Sequence, residues 1–266
     1  MGCTANSTHM VCTLVQWKGG VGKSTLAIHL AAALDAVLVD LEPWGGATAW
    51  WAGPRAAALW QAPGRAPLLR ALSDGSVPRP RRGTAGRPRL IPSHEQLLGL
   101  GDGAVVATAA GAMPLGEAIR QAIPRWAEAW GAHVVIDTPA GFGPLSDGAV
   151  AAADVVMLPV TLDQWAVPAL RKFMASYAGR VERGMVVPNR VRRRVEDRRW
   201  ARLVTAEGLI PPPFVLGPPI AESEVLHVTR RPLAAGRAPS PARGAALAEI
   251  DTLARRALEL SLELAA

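Results

Sequence analysis

The eight residues KGGVGKST at positions 18–25 constrain this chain more than any other stretch. They follow a short apolar run, VCTLVQW at 11–17, and lead into STLAIHLAAAL at 24–34, whose apolar side chains suit a buried helix. Strand, glycine-rich loop and helix in that order form a cradle for phosphate. Glycines let successive backbone N–H groups turn inward around phosphate oxygens, and the helix start adds the positive end of its dipole. Lys23 supplies charge for the β- and γ-phosphates and the Ser24 hydroxyl a ligand for Mg2+. Gly19, Gly20, Val21, Gly22 and Thr25 complete the nucleotide loop. A glycine turn that merely joins a strand to a helix needs neither lysine.

A second apolar strand, AVLVDLE at 36–42, follows the helix after almost no connection, so the chain opens with a βαβ unit and a parallel sheet. Further strands are predicted at RLIPS (89–93), HVVIDTP (133–139), DVVMLPV (154–160) and GMVVPN (184–189). Helical patterns lie near 114–130, 145–153, 164–180 and 195–208, with a terminal helix over roughly 243–264. This alternation specifies an α/β fold with a doubly wound, mainly parallel sheet flanked by helices. Residues 53–88, with prolines among arginines and glycines, predict a short helix and a mobile loop. IPPPFVLGPP at 210–219 excludes a long helix, because proline removes donors and fixes φ.

With 266 residues, 50% of them hydrophobic, the chain has a core for one α/β domain, read as residues 11–266. Residues 1–10 carry no charged region followed by an apolar core; they read as a tag or disordered lead, and His9-Met10 resembles a cloning scar. Apolar runs break well before the roughly 18 residues that a membrane span requires, so no transmembrane segment is expected. The only cysteines are Cys3 and Cys12, which excludes a disulfide framework or a multi-cysteine metal site and fits a reducing cytoplasm.

The formal charge of +7 has two readings, an anionic partner or the codon bias of a GC-rich genome, since three lysines stand against 26 arginines. Under that bias, two of the three lysines five residues apart in one loop mark positions that need a compact ammonium.

Position 17, where the usual phosphate loop has glycine, is Trp17, and Lys18 follows at once. This variant resembles the deviant Walker A motif of the ParA/MinD family of P-loop ATPases. The resemblance continues in VLVDLEPWGGAT (37–48), RLIPSHEQL (89–97) and VVIDTPAGFGPLSDGAVAAADVVMLPVT (134–161), and covers about residues 11–190. It implies ATP and Mg2+, with Lys18 reaching across an ATP-sandwich homodimer to the partner's phosphates. Asp40 and Glu42 fall on the family's two acidic positions before switch I. The second of these orients the attacking water and is usually aspartate, so Glu42, one methylene longer, implies slow turnover. Asp137, at the end of an apolar strand, implies a Mg2+ site held through water; a helix N-cap is its plain alternative.

Asn189 implies adenine recognition, with an ordinary turn asparagine as the alternative. Arg192, Arg193 and Arg194, in RVRRRVEDRR at 190–199, suit nonspecific DNA or a solvated helix face, with Trp200 packed beneath. The segment that often carries the family's DNA-binding arginines, Pro218 to Glu222 here, has none; Arg230 and Arg231 are nearby substitutes. Trp50, Trp51 and Trp60 read as core rather than dimer face.

The resemblance implies a cytoplasmic, nucleoid-associated ATPase that positions DNA or another large cargo, stimulated by a ParB-like or other adaptor protein. A MinD-like membrane ATPase is a competitor, but AALAEIDTLARRALELSLELAA at 245–266 mixes both signs of charge and lacks aromatic anchors. A synthetase on the same scaffold would not be expected to need Lys18 in this role. An iron-sulfur reductase would need thiolates after Cys12, and there are none. A slow, degenerate switch protein remains compatible with Glu42. No helix-turn-helix extension precedes the loop, so specific operator binding is not expected.

Overall fold

The computed structural model describes residues 9–60, 66–83, 86–101, 103–108, 111–192, 198, 200, 208–228 and 240–263. Its centre is β1 (Val11–Gln16), buried along its whole length. Across the sheet the order is β10 (Ile220–Ala221), β8 (Gly184–Val191), β7 (Val155–Val160), β1, β6 (Val134–Ala140), β2 (Val37–Asp40) and β3 (Arg89–Ile91), with β9 (Phe214–Leu216) beside the first part of β8. Every pairing in this sheet is parallel. Both faces of such a sheet are covered, so its strands read as unbroken apolar runs rather than alternating ones.

Alternate residues of β1 enter opposite layers. Cys12 and Leu14 pack with α1 (Lys23–Ala33) and α9 (Pro241–Leu262), while Val11 packs with α4 (Pro67–Asp74) and α5 (Leu115–Trp130). Val15 joins α7 (Ala166–Tyr177), Trp200 and Phe214 in a third cluster. Trp200 is therefore core. α9 puts Ile250, Leu253, Ala257 and Leu260 into the cluster shared with α1, so its apolar face is spent inside the fold. Among the described residues no helix is long and apolar enough to cross a membrane. α5 and α6 (Pro144–Ala151) approach so closely that a Cβ at Gly148 would lie 2.5 Å from the Gly116 carbonyl.

Several expectations need correction. Among the described residues of 53–88 there are two short helices, α3 (Pro54–Trp60) and α4, rather than one. The segment after α4 is clamped, not mobile: Trp126 and Trp130 donate their indole N–H groups to the carbonyls of Ser76 and Pro78 at 3.0 Å, and Trp51 donates to Pro88 at 2.7 Å. Arg81 pairs with Leu90 along the outer side of β3. Asp137 does not end its strand; β6 runs on to Ala140, and Asp137 lies level with Asp40 on β2. The sheet also gains β9 from the proline-rich stretch and β10 just beyond it, and a separate hairpin, β4 (Val105–Thr108) with β5 (Gly111–Pro114), stands beside α4 and α5. Further short α-helices among the described residues are α2 (Gly46–Ala52) and α8 (Glu224–Val228). Trp50, Trp51 and Trp60 are partly buried against the α1 cluster, as expected for core. The helix expected over 195–208 lies almost wholly outside the described residues.

Candidate functional site

The loop between β1 and α1 sits where strand order reverses around β1, the crevice in which open parallel sheets take ligands. Gly20 and Gly22 are left-handed, with φ of 76° and 94°, conformations that side chains rarely adopt. A Cβ at Gly19 or Gly20 would meet nothing within 4 Å, so that backbone is open on its front. α1 starts with no side-chain cap and no acidic residue in its first turn, which leaves its terminal N–H groups to an anion. Behind the loop, Asn189 donates its side-chain N–H to the Val21 carbonyl at 2.7 Å, and a Cβ at Gly22 would come within 2.4 Å of that amide nitrogen. Only glycine fits there.

Lys23 is buried, at a relative exposure of 7%. Burial lowers its pKa, and the carboxylates of Asp137 and Glu42 partly oppose that shift. Asp137 and Asp40 are both fully buried. Burial first, then the neighbouring Asp40, push Asp137 well above the usual carboxylate range, against the pull of Ser24 and Lys23. Ser24 acts on Asp137 from close by, yet among the described residues neither Asp137 oxygen has a hydrogen bond of normal geometry. Two orphaned buried acceptors beside a second carboxylate are a poor place to leave unpaired and a good one for a cation. They fit a hydrated Mg2+, which keeps several waters and takes few protein ligands. Ser24 and Asp137 would hold it, and it would supply positive charge to phosphate oxygens. Among the described residues no group of three or more His, Cys, Asp or Glu forms a separate metal site.

Asp40 is differently placed. Its carboxylate accepts the Thr48 N–H at 2.8 Å, the Thr48 hydroxyl at 2.6 Å and the Glu42 N–H at 3.1 Å. Thr48 Oγ1 in turn accepts the Ser93 N–H at 2.9 Å, and the Ser93 hydroxyl donates to the Glu42 carbonyl at 2.5 Å. Asp40 is thus the root of a brace that shapes the loop carrying Glu42 and the start of α2. Burial raises its pKa to about 7 in spite of the Thr48 and Glu42 hydrogen bonds. Thr48 and Ser93 were not singled out in the sequence; small hydroxyl residues eight and 53 positions beyond Asp40 carry no signal until β2 and β3 are known to pair.

Lys18 stands on the outer side of the loop and pairs with Asp163, in the segment after β7. Asp163 was also missed, although an acidic residue just past a strand's C-terminal end lies on the ligand-binding edge. Trp17 packs on Phe142 with ring centroids 4.7 Å apart, and Lys172 Nζ lies 3.5 Å from the Trp17 ring centroid. Arg190 donates to the Gly20 carbonyl at 3.4 Å and lies 3.6 Å from Glu222, which Arg192 grips with two bonds of 2.6 and 3.1 Å. Arg193, Arg194, Arg230 and Arg231 lie outside the described residues.

A charge that is costly to bury makes a testable contribution. A group whose folded pKa exceeds its unfolded value stabilises the fold at low pH and loses that contribution as pH rises through the folded value. For Asp40 the window runs from about 4, the ordinary carboxylate value, to about 7. Asp137 shifts in the same direction. Asp137→Asn is therefore expected to raise the melting temperature of the nucleotide-free protein by about 2–4 °C at pH 8, with the gain shrinking toward pH 4. The same variant should lose the Mg2+ dependence of ATP binding. Calorimetric scans and titrations check both, and a variant that melts lower and keeps its Mg2+ dependence would refute the assignment.

A family model described as an AAA domain matches residues 9–183. The maintenance of carboxysome distribution protein A of Gloeobacter kilaueensis is 48% identical over 59 residues, 21% of this chain and 27% of that protein. The chromosome-partitioning ATPase Soj of Thermus thermophilus is 33% identical over 168 residues, 61% of this chain and 59% of Soj. The chain thus matches less than two thirds of the length of either curated relative. Among solved structures, nucleotide-free McdA from Cyanothece superposes with a TM-score of 0.68 at 17% identity, covering 94% of this chain and 99% of McdA.

Proposed function

We propose, from the premise that this chain belongs to the AAA-domain family and within it to the ParA/MinD P-loop ATPases, that it is an ATP-dependent positioning switch. Its cofactors in this reading are ATP and Mg2+. It dimerises around ATP, holds nonspecific DNA while dimeric, and lets go after an adaptor of the ParB type speeds a slow hydrolysis. Its place is the nucleoid within the cytoplasm.

The observation that carries the reading is the division of labour between the two lysines of one loop. Lys23 is buried beneath the loop among carboxylates that a metal would satisfy, whereas Lys18 lies at the rim, with a side chain 33% exposed. An ordinary nucleotide site needs only the first. Glu42, whose carboxylate accepts the Trp44 N–H at 3.4 Å, is better placed than Asp40 to address a water, because Asp40's carboxylate is spent on Thr48 and the Glu42 backbone. Asn189 keeps its carbonyl oxygen and one amide hydrogen for a base after bracing Val21. The names of the relatives point to chromosomes and carboxysomes as cargo in those proteins.

For DNA, phosphates would draw Arg192 away from Glu222. Replacing Arg192, Arg193 and Arg194 together with alanine should weaken binding to all sequences alike, and flatten the salt dependence by up to about three counterions. Fluorescence anisotropy across a salt series, with a slowly hydrolysed ATP analogue and with ADP, reads this out. Wild-type protein that binds DNA equally with either nucleotide would sink the switch; an unaltered salt slope in the triple variant would move the DNA surface.

A further inference from the structure

A second group of arginines lies away from the phosphate loop, on the segment that leads into β3. Arg79, Arg81, Arg82, Arg87 and Arg89 fall within eleven residues, and no acidic residue stands between Asp74 and Glu95. The backbone beneath them is held at several points. Arg81 exchanges two backbone hydrogen bonds with Leu90, of 2.7 and 3.0 Å, along the outer side of β3. Arg125 donates to the Gly75 carbonyl at 2.9 Å, the indoles of Trp126, Trp130 and Trp51 take the carbonyls of Ser76, Pro78 and Pro88, and Arg89 donates to the Asp35 carbonyl at 3.0 Å. The Arg81 guanidinium lies 5.1 Å from the Trp60 ring centroid and that of Arg87 5.8 Å from the Trp51 centroid, within reach of a cation–π contact. Arg79, Arg81 and Arg82 are exposed, and among the described residues no carboxylate pairs with any of the three. Arg192, by contrast, is already gripped by Glu222.

We propose that Arg79, Arg81 and Arg82 form a docking surface for the phosphate backbone of duplex DNA, bound without regard to its sequence. The three stand along an exposed edge, which suits a ligand that carries its charges on its own outside, and a duplex presents one charge per about 1.7 Å of its axis. Planar guanidinia match phosphate oxygens in pairs. Because the backbone is fixed before the ligand arrives, little ordering is left to oppose binding. β3 and β10 end the sheet on opposite sides, about 30 Å apart at the usual strand spacing, so this surface is separate from that of Arg192. An anionic membrane would call for apolar anchors among the charges. Trp51 and Trp60 are partly buried against the core instead, and Val77, 44% exposed, is a single side chain. That the polyanion is DNA rests on the function proposed above; the fixed arginine surface does not.

The test is anisotropy of a short labelled duplex over a salt series, with the full chain and either a slowly hydrolysed ATP analogue or ADP. Replacing Arg79, Arg81 and Arg82 together with alanine should weaken binding by about tenfold or more at low salt, and flatten the slope of log affinity against log salt by about two to three. Replacing the same three with lysine should keep most of the slope, because counterion release follows charge rather than side-chain shape. A wild-type slope in the alanine variant overturns the proposal. So does an equal loss in the lysine variant, which would trace the effect to packing on Trp60. Vesicles of phosphatidylserine and phosphatidylcholine should leave the wild type in the supernatant; capture that the alanine variant loses, with DNA binding unchanged, makes the partner a membrane and overturns the proposal. Binding that is equal with both nucleotides, yet falls in the alanine variant, ends the switch proposed above and keeps this surface. Wild type that binds no duplex with either nucleotide ends both.

Discussion

Lys23→Ala is expected to lower the affinity for ATP by about 100-fold or more, a loss in the range seen when one partner of a buried, hydrogen-bonded charge pair is removed. The lysine opens α1 at 7% exposure and faces Asp137 and Glu42. Without it the same crevice presents only carboxylates to an anionic ligand, and the backbone N–H groups of the loop must act against that charge. Lys23→Arg should fail nearly as badly, because a planar guanidinium does not fit the space of a covered ammonium. Isothermal calorimetry on variants whose melting shows a folded protein measures the change. Unchanged affinity in Lys23→Ala would remove the nucleotide site from this loop.

The parts of this molecule that were legible in the sequence are those fixed by local chemistry or by strand edges. β1, β2, β6, β7 and β8 announce themselves because burial on both faces keeps each run largely apolar, Thr13 in β1 and Asp137 and Thr138 in β6 apart, and a glycine loop between such a strand and a helix suits a phosphate. Asp137 was legible for a related reason: a carboxylate in VVIDTP is costly unless something uses it. Its position in mid-strand was not, because β6 keeps pairing with the end of β1 through Ala140, and that register is a property of two distant segments.

The same limit hid the clamp on Ser76 and Pro78. Proline and arginine content suggests mobility, yet the segment is held by indoles of α5 about 50 positions away. β4 and β5 were missed because only Val106 and its partner Met113 turn toward the core, too few inward positions to show as alternation, while Val105, Ala107, Gly111, Ala112 and Pro114 are exposed. Arg192 shows the reverse case: an arginine run suggests a free cationic face, whereas Glu222, 30 residues on, already neutralises one member.

Lys18→Ala separates this family's reading from that of any other phosphate-loop protein. The Lys18 ammonium lies outside the buried charge cluster of Lys23, Asp40 and Asp137, and its partner within the chain is Asp163. Its removal should therefore leave ATP affinity within about threefold of wild type, the scale of a half-exposed ion pair. If Lys18 completes the partner's phosphate site, ATP is part of the dimer contact, and dimer stability must follow nucleotide by linkage. Wild type should then run as a dimer with Mg-ATP or a slowly hydrolysed analogue and mostly as a monomer with ADP. Lys18→Ala should bind the same nucleotides and stay monomeric. Both proteins are compared by light scattering with each nucleotide, at concentrations that saturate the site. A Lys18→Ala protein that dimerises with ATP as strongly as wild type would take the sandwich away, and with it the link from nucleotide state to cargo binding on which the positioning function depends.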